Sequence, residues 1–252
     1  MRTDVIDLHA FYRSDLGRTA RRMIGGRLRR LWPDVHDARV LGVGYAAPYL
    51  GPFQAEAERV LAAMPALQGV MRWPEDAPGL TVLTGEADLP FPDRSMDRVL
   101  LVHGLEGTEQ PRLLLREVWR VLADGGRLLA VVPNRRGIWA RLERTPFGNG
   151  RPYSPAQLSH LLRDTLFMPL ETAHALFVPP ARRRVILAAA PAWERLGSRW
   201  FEPLAGVLLT EATKRMAAAP PLREAPAHPV PEGVWNGIRG VAPGCPSGAG
   251  TR

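Results

Sequence analysis

The most restrictive feature of this chain is LLLREVWRVLADGGRLLAVVP, residues 113–133. Leu113, Leu114, Val118, Val121 and Leu122 recur at helical spacing between charged residues, so residues 109–122 read as an amphipathic helix. ADGG (123–126) reads as a helix C-cap followed by a turn. RLLAVVP (127–133) is then apolar at successive positions rather than alternate ones. Strands covered on both faces show that pattern, whereas a sheet with one wet face alternates. A helix running into a doubly buried strand predicts a parallel sheet with helices on both sides.

The rest of the chain extends the scheme. ARVLGVG (38–44) reads as the first strand, and residues 48–64 as the helix after it, closed by Pro65. LQGVMRW (67–73), LTVLTG (80–85) and DRVLLVH (97–103) read as strands two to four, with Asp97 a structural residue at the start of the fourth. Residues 136–144 have helical character, and residues 154–162 begin with Ser154 as N-cap and Pro155 at the first helical position. Residues 171–178 and 206–213 read as the last two strands. Residues 181–197 fit a strand or a helix kinked at Pro191. The expected fold is α/β: a Rossmann-like, doubly wound seven-stranded sheet, mostly parallel with an antiparallel edge strand. It would occupy residues 39–216. A helical cap (1–38) would precede it, with helical spacing from Asp7 to about Trp32. A Pro/Ala/Gly-rich tail (217–252), disordered by composition, would follow. In such sheets ligands bind beyond the carboxyl ends of the strands, at the switch point beside strand one. That points to residues 42–45, 72–73, 85–88 and 103–106.

The formal net charge is +8, from 33 basic and 25 acidic residues, and Lys214 is the sole lysine. Arginines are spread through the helices beside acids, as expected of a chain coded in an arginine-favouring genome. Clusters at 18–30, 135–151 and 182–184 keep an anionic substrate in view. Apolar runs are of strand length, far short of a membrane span. The N-terminus lacks the long apolar core of a secretory signal. The single cysteine, Cys245, cannot form an internal disulfide, which suits a cytoplasmic location. No cysteine/histidine group has metal-ligand spacing, so no metal is expected.

The ordered set GEADLPFPDRSMDRVLLVHGLE then LLREVWRVLADGGRLLAVVPN resembles class I S-adenosylmethionine-dependent methyltransferases of the type-11 domain group. The resemblance runs from about Arg39 to Asn134 and more loosely to Lys214. It implies S-adenosylmethionine as cofactor, held by a glycine loop after strand one. Gly42, Gly44, Tyr45 and Ala46 match that loop, although Gly42 stands where the family carries an acid, and Tyr45, Ala46 and Pro48 replace its later residues. The acid expected at the end of strand two falls at Met71 or Arg72, with Glu75 and Asp76 several residues late. Glu86 matches the acid that meets the adenine amino group, with Ala87 beside it and Asp88 a second candidate. His103 and Leu105 match positions that flank the sulfonium and the amino end of the cofactor.

Methyl transfer demands alignment and exclusion of water more than acid–base chemistry, because the sulfonium is already electrophilic. The absence of an evident acid/base pair therefore leaves catalysis open and names no catalytic residue. The expected function is methyl transfer to a small, anionic molecule. Substrate contacts are expected from residues 11–22, 103–110 and 134–154, the last carrying Arg135, Arg136, Arg141, Arg144 and Arg151 beside Trp139, Phe147 and Tyr153. The alternative is a methyltransferase fold that binds without turnover, since each missing acid forfeits a charge-assisted hydrogen bond of about 1.5–3 kcal/mol. An RNA methyltransferase is disfavoured by few aromatics and no appended RNA-binding module. A dinucleotide oxidoreductase is disfavoured because no G-x-G-x-x-G follows strand one.

Overall fold

Ser14 divides the first helical stretch in two. Its hydroxyl accepts from Gly17 N, capping α2 (Asp15–Leu31), while its backbone N–H closes α1 (Val5–Arg13) by donating to Phe11 O. The two helices meet so closely that a Cβ on Gly17 would stand 1.9 Å from Phe11 O. These contacts come from a computed structural model that describes residues 3–86, 88–181 and 183–215. The tail expected at 217–252, Cys245 and Ala87 lie outside the described residues.

The chain then forms β1 (Arg39–Gly44), α3 (Ala47–Leu50), a 3-10 turn (Gly51–Phe53), β2 (Arg59–Pro65), β3 (Thr81–Thr84) and β4 (Met96–Val102). After these come α4 (Pro111–Val121), β5 (Leu122–Pro133), α5 (Pro155–Asp164), β6 (Phe167–Ala175), α6 (Arg184–Ala188), α7 (Ala190–Trp200) and β7 (Val207–Lys214). The seven strands form one sheet in the order β3-β2-β1-β4-β5-β7-β6. Strand β7 runs antiparallel to both β5 and β6, so the reversed strand sits one place in from the edge. Two apolar layers cover the sheet. Val40, Ala62, Met64, Leu100 and Val102 face α1, α2 and α3. Leu41, Val43, Ala63, Val99 and Leu101 face α4 and α5. No helix among the described residues is long and apolar enough to cross a membrane.

Several local expectations are corrected. Residues 48–64 do not form one helix: Gly51 and Pro52 end α3 after four residues, and VLAAMP becomes β2. Buried on both faces, β2 lacks the alternation that would mark it as a strand. Residues 67–73 are a loop instead, with Leu67 71% exposed and Gly69 at φ 93°. ADGG lies within β5 as an irregularity against β4, with Gly125 at φ 77°, so the helix passes directly into the strand. In α4 the buried stripe is Leu114, Leu115, Val118 and Val121, with Leu113 exposed. Residues 139–141 form only a 3-10 turn, whose Trp139 indole donates to Val178 O at 2.8 Å. Strand β6 starts at Phe167 and absorbs a register shift between Pro169 and Glu171. Within the ambiguous stretch 181–197, residues 184–188 and 190–197 are helical, with Pro191 in the first turn of α7.

Two polar ties fix the frame. Asp97, near the start of β4, accepts from the backbone N, Nε and Nη2 of Arg39 at 2.8–3.0 Å, joining the amino ends of β1 and β4. Glu211 on β7 accepts from Trp32 Nε1 and Arg127 Nη1, both at 3.0 Å, joining the end of α2 to β5 and β7.

Replacing Gly17 by alanine should cost about 1–3 kcal/mol through overpacking. The same change at Gly26, where an added Cβ meets nothing within 4 Å, should stabilise by about 1 kcal/mol through helix propensity. Thermal unfolding of the two variants checks the opposite signs. Asp97→Asn should lose about 1.5–3 kcal/mol at neutral pH. Hydrogen bonds from Arg39 hold the Asp97 carboxyl below its usual range. Its stabilisation is therefore complete above the unfolded value of about pH 4 and vanishes as pH falls through the lower folded value. Denaturant titrations on acidification should show the gap between the native chain and Asp97→Asn closing.

Candidate functional site

Parallel pairing brings the carboxyl ends of β1, β2, β3 and β4 side by side. The chain turns sharply out of β1 at Gly44, whose φ of 78° favours glycine. A Cβ there would stand 2.3 Å from Val102 O and 3.0 Å from Gly104 N. The close approach that this glycine permits is therefore made by the chain's own β4 end. The next amide is taken as well: Tyr45 N donates to Val102 O at 2.8 Å. In a loop that receives a ligand, such amides face outward.

Gly42 has a packing reason of its own. A Cβ at this position would lie 2.7 Å from Leu50 Cδ1 and 2.8 Å from Ala46 Cβ. The short helix α3 has moved its leucine into the room that an acidic side chain would need. Ala46 and Leu105 are both buried in core packing, in separate apolar layers. Tyr45 is buried, and its ring stacks on Tyr12 with centroids 5.9 Å apart. Burial and the nearby Glu75 push its phenol up to about 12. Asp88 is exposed. Glu86 accepts from Thr108 Oγ1 at 2.7 Å. Met71 and Arg72, considered for the strand-two acid, sit in a loop, and the true end of β2 is followed by Ala66, Leu67 and Gln68.

The centre of the site is a buried polar chain. Tyr12 of α1 reaches over the strand ends and bonds His103 Nε2 at 2.8 Å and the Tyr49 hydroxyl at 3.0 Å. His103, at φ 51°, bonds Glu106 Oε1 through Nδ1 at 3.0 Å. A carboxylate only accepts, so Nδ1 is assigned as the donor to Glu106; Nε2 then accepts from Tyr12, and Tyr12 accepts from Tyr49. Burial first, and the neighbouring Tyr49 next, hold the Tyr12 phenol well above its ordinary range. Burial raises Tyr49 as well. Both are neutral hydroxyls at physiological pH. Phe147 covers His103 at a ring separation of 4.9 Å.

His103, Glu86, Glu106 and Gln68 border one cavity between the strand ends, of about 30 Å³. Sites for small molecules usually measure about 300–1,000 Å³. Within it, Gln68 Oε1 and Glu106 Oε2 are buried without a protein donor. Two such acceptors suit an ammonium group, like the amino end of S-adenosylmethionine. The volume does not fit the rest of that cofactor, and next to the cavity Tyr12, Tyr45 and the β1–β4 contact are packed against one another and His103. In this conformation the slot does not accommodate the whole molecule. No group of histidine, cysteine and acidic residues able to hold a metal occurs among the described residues.

Beside the slot, Arg135, Arg151 and Tyr153 line a cleft of about 590 Å³, and Gly150 borders both spaces. Arg144 lines a different cleft, against α1, so the arginines of residues 135–151 do not form one cluster. Sequence reasoning singled out His103 and Glu86, which the fold brings to one cavity. It missed Tyr12, Tyr49 and Gln68 as neighbours of that cavity. Tyr12 fell inside the segment 11–22 expected near a substrate, but no local signal marks its contact with a histidine 91 positions away.

Comparison with known proteins is consistent with this architecture. Residues 28–130 match the sequence pattern of a methyltransferase domain family. The demethylmenaquinone methyltransferase of Thermus thermophilus is 31% identical over 130 residues, which are 50% of this chain and 59% of that protein. An uncharacterized Mycobacterium tuberculosis protein is 34% identical over 113 residues, covering 42% of this chain and 39% of its own length. The chain thus spans about two-fifths to three-fifths of these curated relatives. Among solved structures, a SAM-dependent methyltransferase from Thermotoga maritima superposes with a TM-score of 0.57 at 18% identity, covering 84% of this chain and 96% of that one. One from Archaeoglobus fulgidus gives 0.55 at 18%, covering 77% and 94%. The order of strands and these likenesses give the chain the Rossmann-like α/β fold of S-adenosylmethionine-dependent methyltransferases, and residues 28–130 carry the sequence pattern of a methyltransferase domain.

Proposed function

We propose that the chain transfers a methyl group from S-adenosylmethionine to a small anionic acceptor, in a form in which α1 has withdrawn from the strand ends. The observation that carries the reading is the cavity at the carboxyl ends of the sheet. There Glu86 and His103 border the unpaired acceptors Gln68 Oε1 and Glu106 Oε2, beyond the strand ends where sheets of this kind bind ligands. Withdrawal requires breaking few polar contacts: Tyr12 to His103 and Tyr49, Val5 N to Gln68 O, and exposed contacts such as His9 to Glu75. The Ser14 break supplies the place to bend. The cleft of Arg135 and Arg151 supports an anionic acceptor, since both guanidinium groups lack an ion-pair partner among the described residues and the cleft adjoins the slot at Gly150.

A second reading has its own observation. The Gly44–Gly104 contact and the burial of Tyr45 use, for packing, the backbone that would receive the cofactor. On that reading the fold binds a partner or ligand and does not turn over.

Calorimetric titration with S-adenosylmethionine and S-adenosylhomocysteine separates the two. On the first reading the native chain binds weakly, and Tyr12→Ala binds at least about tenfold more tightly because the closed form no longer competes. Tyr12→Phe, which removes only the hydroxyl, should fall between them. Absence of heat for all three folded proteins at millimolar ligand would rule out methyl transfer and leave the second reading.

A further inference from the structure

On the other side of Tyr49 from the slot lies a concavity of about 880 Å³, between α2, α3 with its following turn, and α6. It shares no lining residue with the slot cavity. Five arginines line it, Arg18, Arg21, Arg22, Arg29 and Arg184, against two acids, Asp15 and Glu56. Each acid is already engaged, Asp15 with Arg18 and Glu56 with Arg29. Arg21, Arg22 and Arg184 have no ion-pair partner among the described residues, and Nη1 of Arg29 is buried without an acceptor. The groove thus carries an excess of unanswered positive charge.

Its floor is apolar: Tyr49, Phe53, Leu28 and Leu187 line it, and the Arg29 guanidinium lies 5.8 Å from the Phe53 ring centre. One wall is opened by Gly25 and Gly26 in the middle of α2. An added Cβ at Gly25 would meet only Tyr49 Cδ1, at 3.9 Å, and one at Gly26 would meet nothing within 4 Å. Mid-helix glycine costs stability relative to alanine, and packing within the chain does not require either residue to lack a side chain. What the pair does is leave the groove deep.

We propose that this groove is a binding site for an anionic amphiphile: a small molecule with a phosphate or carboxylate head and an apolar body. The head would engage Arg21, Arg22 and Arg184, and the body would lie over Tyr49 and Phe53. Bidentate guanidinium recognition suits both heads. The site is separate from the slot and does not rest on methyl transfer.

The test uses the full chain and titrates decyl phosphate and decanoate as free monomers, with decanol and inorganic phosphate as controls. At least one of the two amphiphiles is expected to bind at one site per chain, and decanol and inorganic phosphate at least about tenfold more weakly. A preference between the two amphiphiles identifies the head group. Replacing Arg21, Arg22 and Arg184 together by alanine should weaken binding at least about tenfold. Gly26→Leu should also abolish it without lowering the melting temperature, since the new side chain enters open space. The proposal is overturned if neither amphiphile binds up to millimolar concentration, or if decanol or phosphate alone binds as well. Binding unchanged by both variants also overturns it, as does binding to phosphatidylglycerol vesicles with no response to the free monomers.

Discussion

A phenol hydroxyl buried in a core must find a partner, because leaving it unpaired costs about 1–3 kcal/mol. Tyr12 meets that requirement with His103 and Tyr49, and much of the molecule follows from how it does so. The bond to His103 pins α1 across the carboxyl ends of the strands. The bond to Tyr49 ties the same helix to α3. The ring stacks on Tyr45 and holds the turn after β1 in its packed form. One side chain thus links the helical cap, the first loop and the end of β4, and the small size of the cavity between them is the outcome.

The strands built from β-branched and leucine runs were legible in the sequence. VLGVG, TVLT, RVLLV and RLLAVVP all became strands in a sheet of the anticipated kind. VLAAMP was not, because alanine serves either a helix or a doubly covered strand, and only the turn at Gly51 and Pro52 decides between them. The candidate site was legible in part. Glu86 and His103 were found from a pattern along the chain, since both follow parallel strands that end on the same side of the sheet. That Gly42 lacks an acid could be read directly, but the reason could not. Leu50 occupies the room, and that depends on how short α3 is. Closure of the slot by Tyr12 rests on contacts between segments far apart in sequence, where no local periodicity carries information.

The arginines divide into two populations that composition alone merges. Arg39, Arg120 and Arg127 are structural: Arg39 and Arg127 bond Asp97 and Glu211 and tie strands together, and Arg120 bonds Glu117 within α4 and the Leu89 and Phe91 carbonyls of the loop before β4. Arg21, Arg22 and Arg184 stand without such partners around the α2 groove. A positive net charge is therefore a poor guide to where a negative ligand would go. The guide is the difference between guanidinium groups that neighbouring carboxylates already satisfy and those that none reaches.

The insertion of β7 between β5 and β6 has a consequence for synthesis. Among the described residues strand β6 pairs only with β7, which lies further along the chain. While the ribosome makes the intervening helices, β5 and β6 both present open edges, for a few seconds at ordinary elongation rates. Two strands that cannot yet meet each other are free to meet a neighbouring nascent chain, since an unpaired edge is a template for association. Pro169, which has no N–H to donate, interrupts the hydrogen-bonding row of β6 during that interval, which makes the waiting strand a poorer template for another molecule.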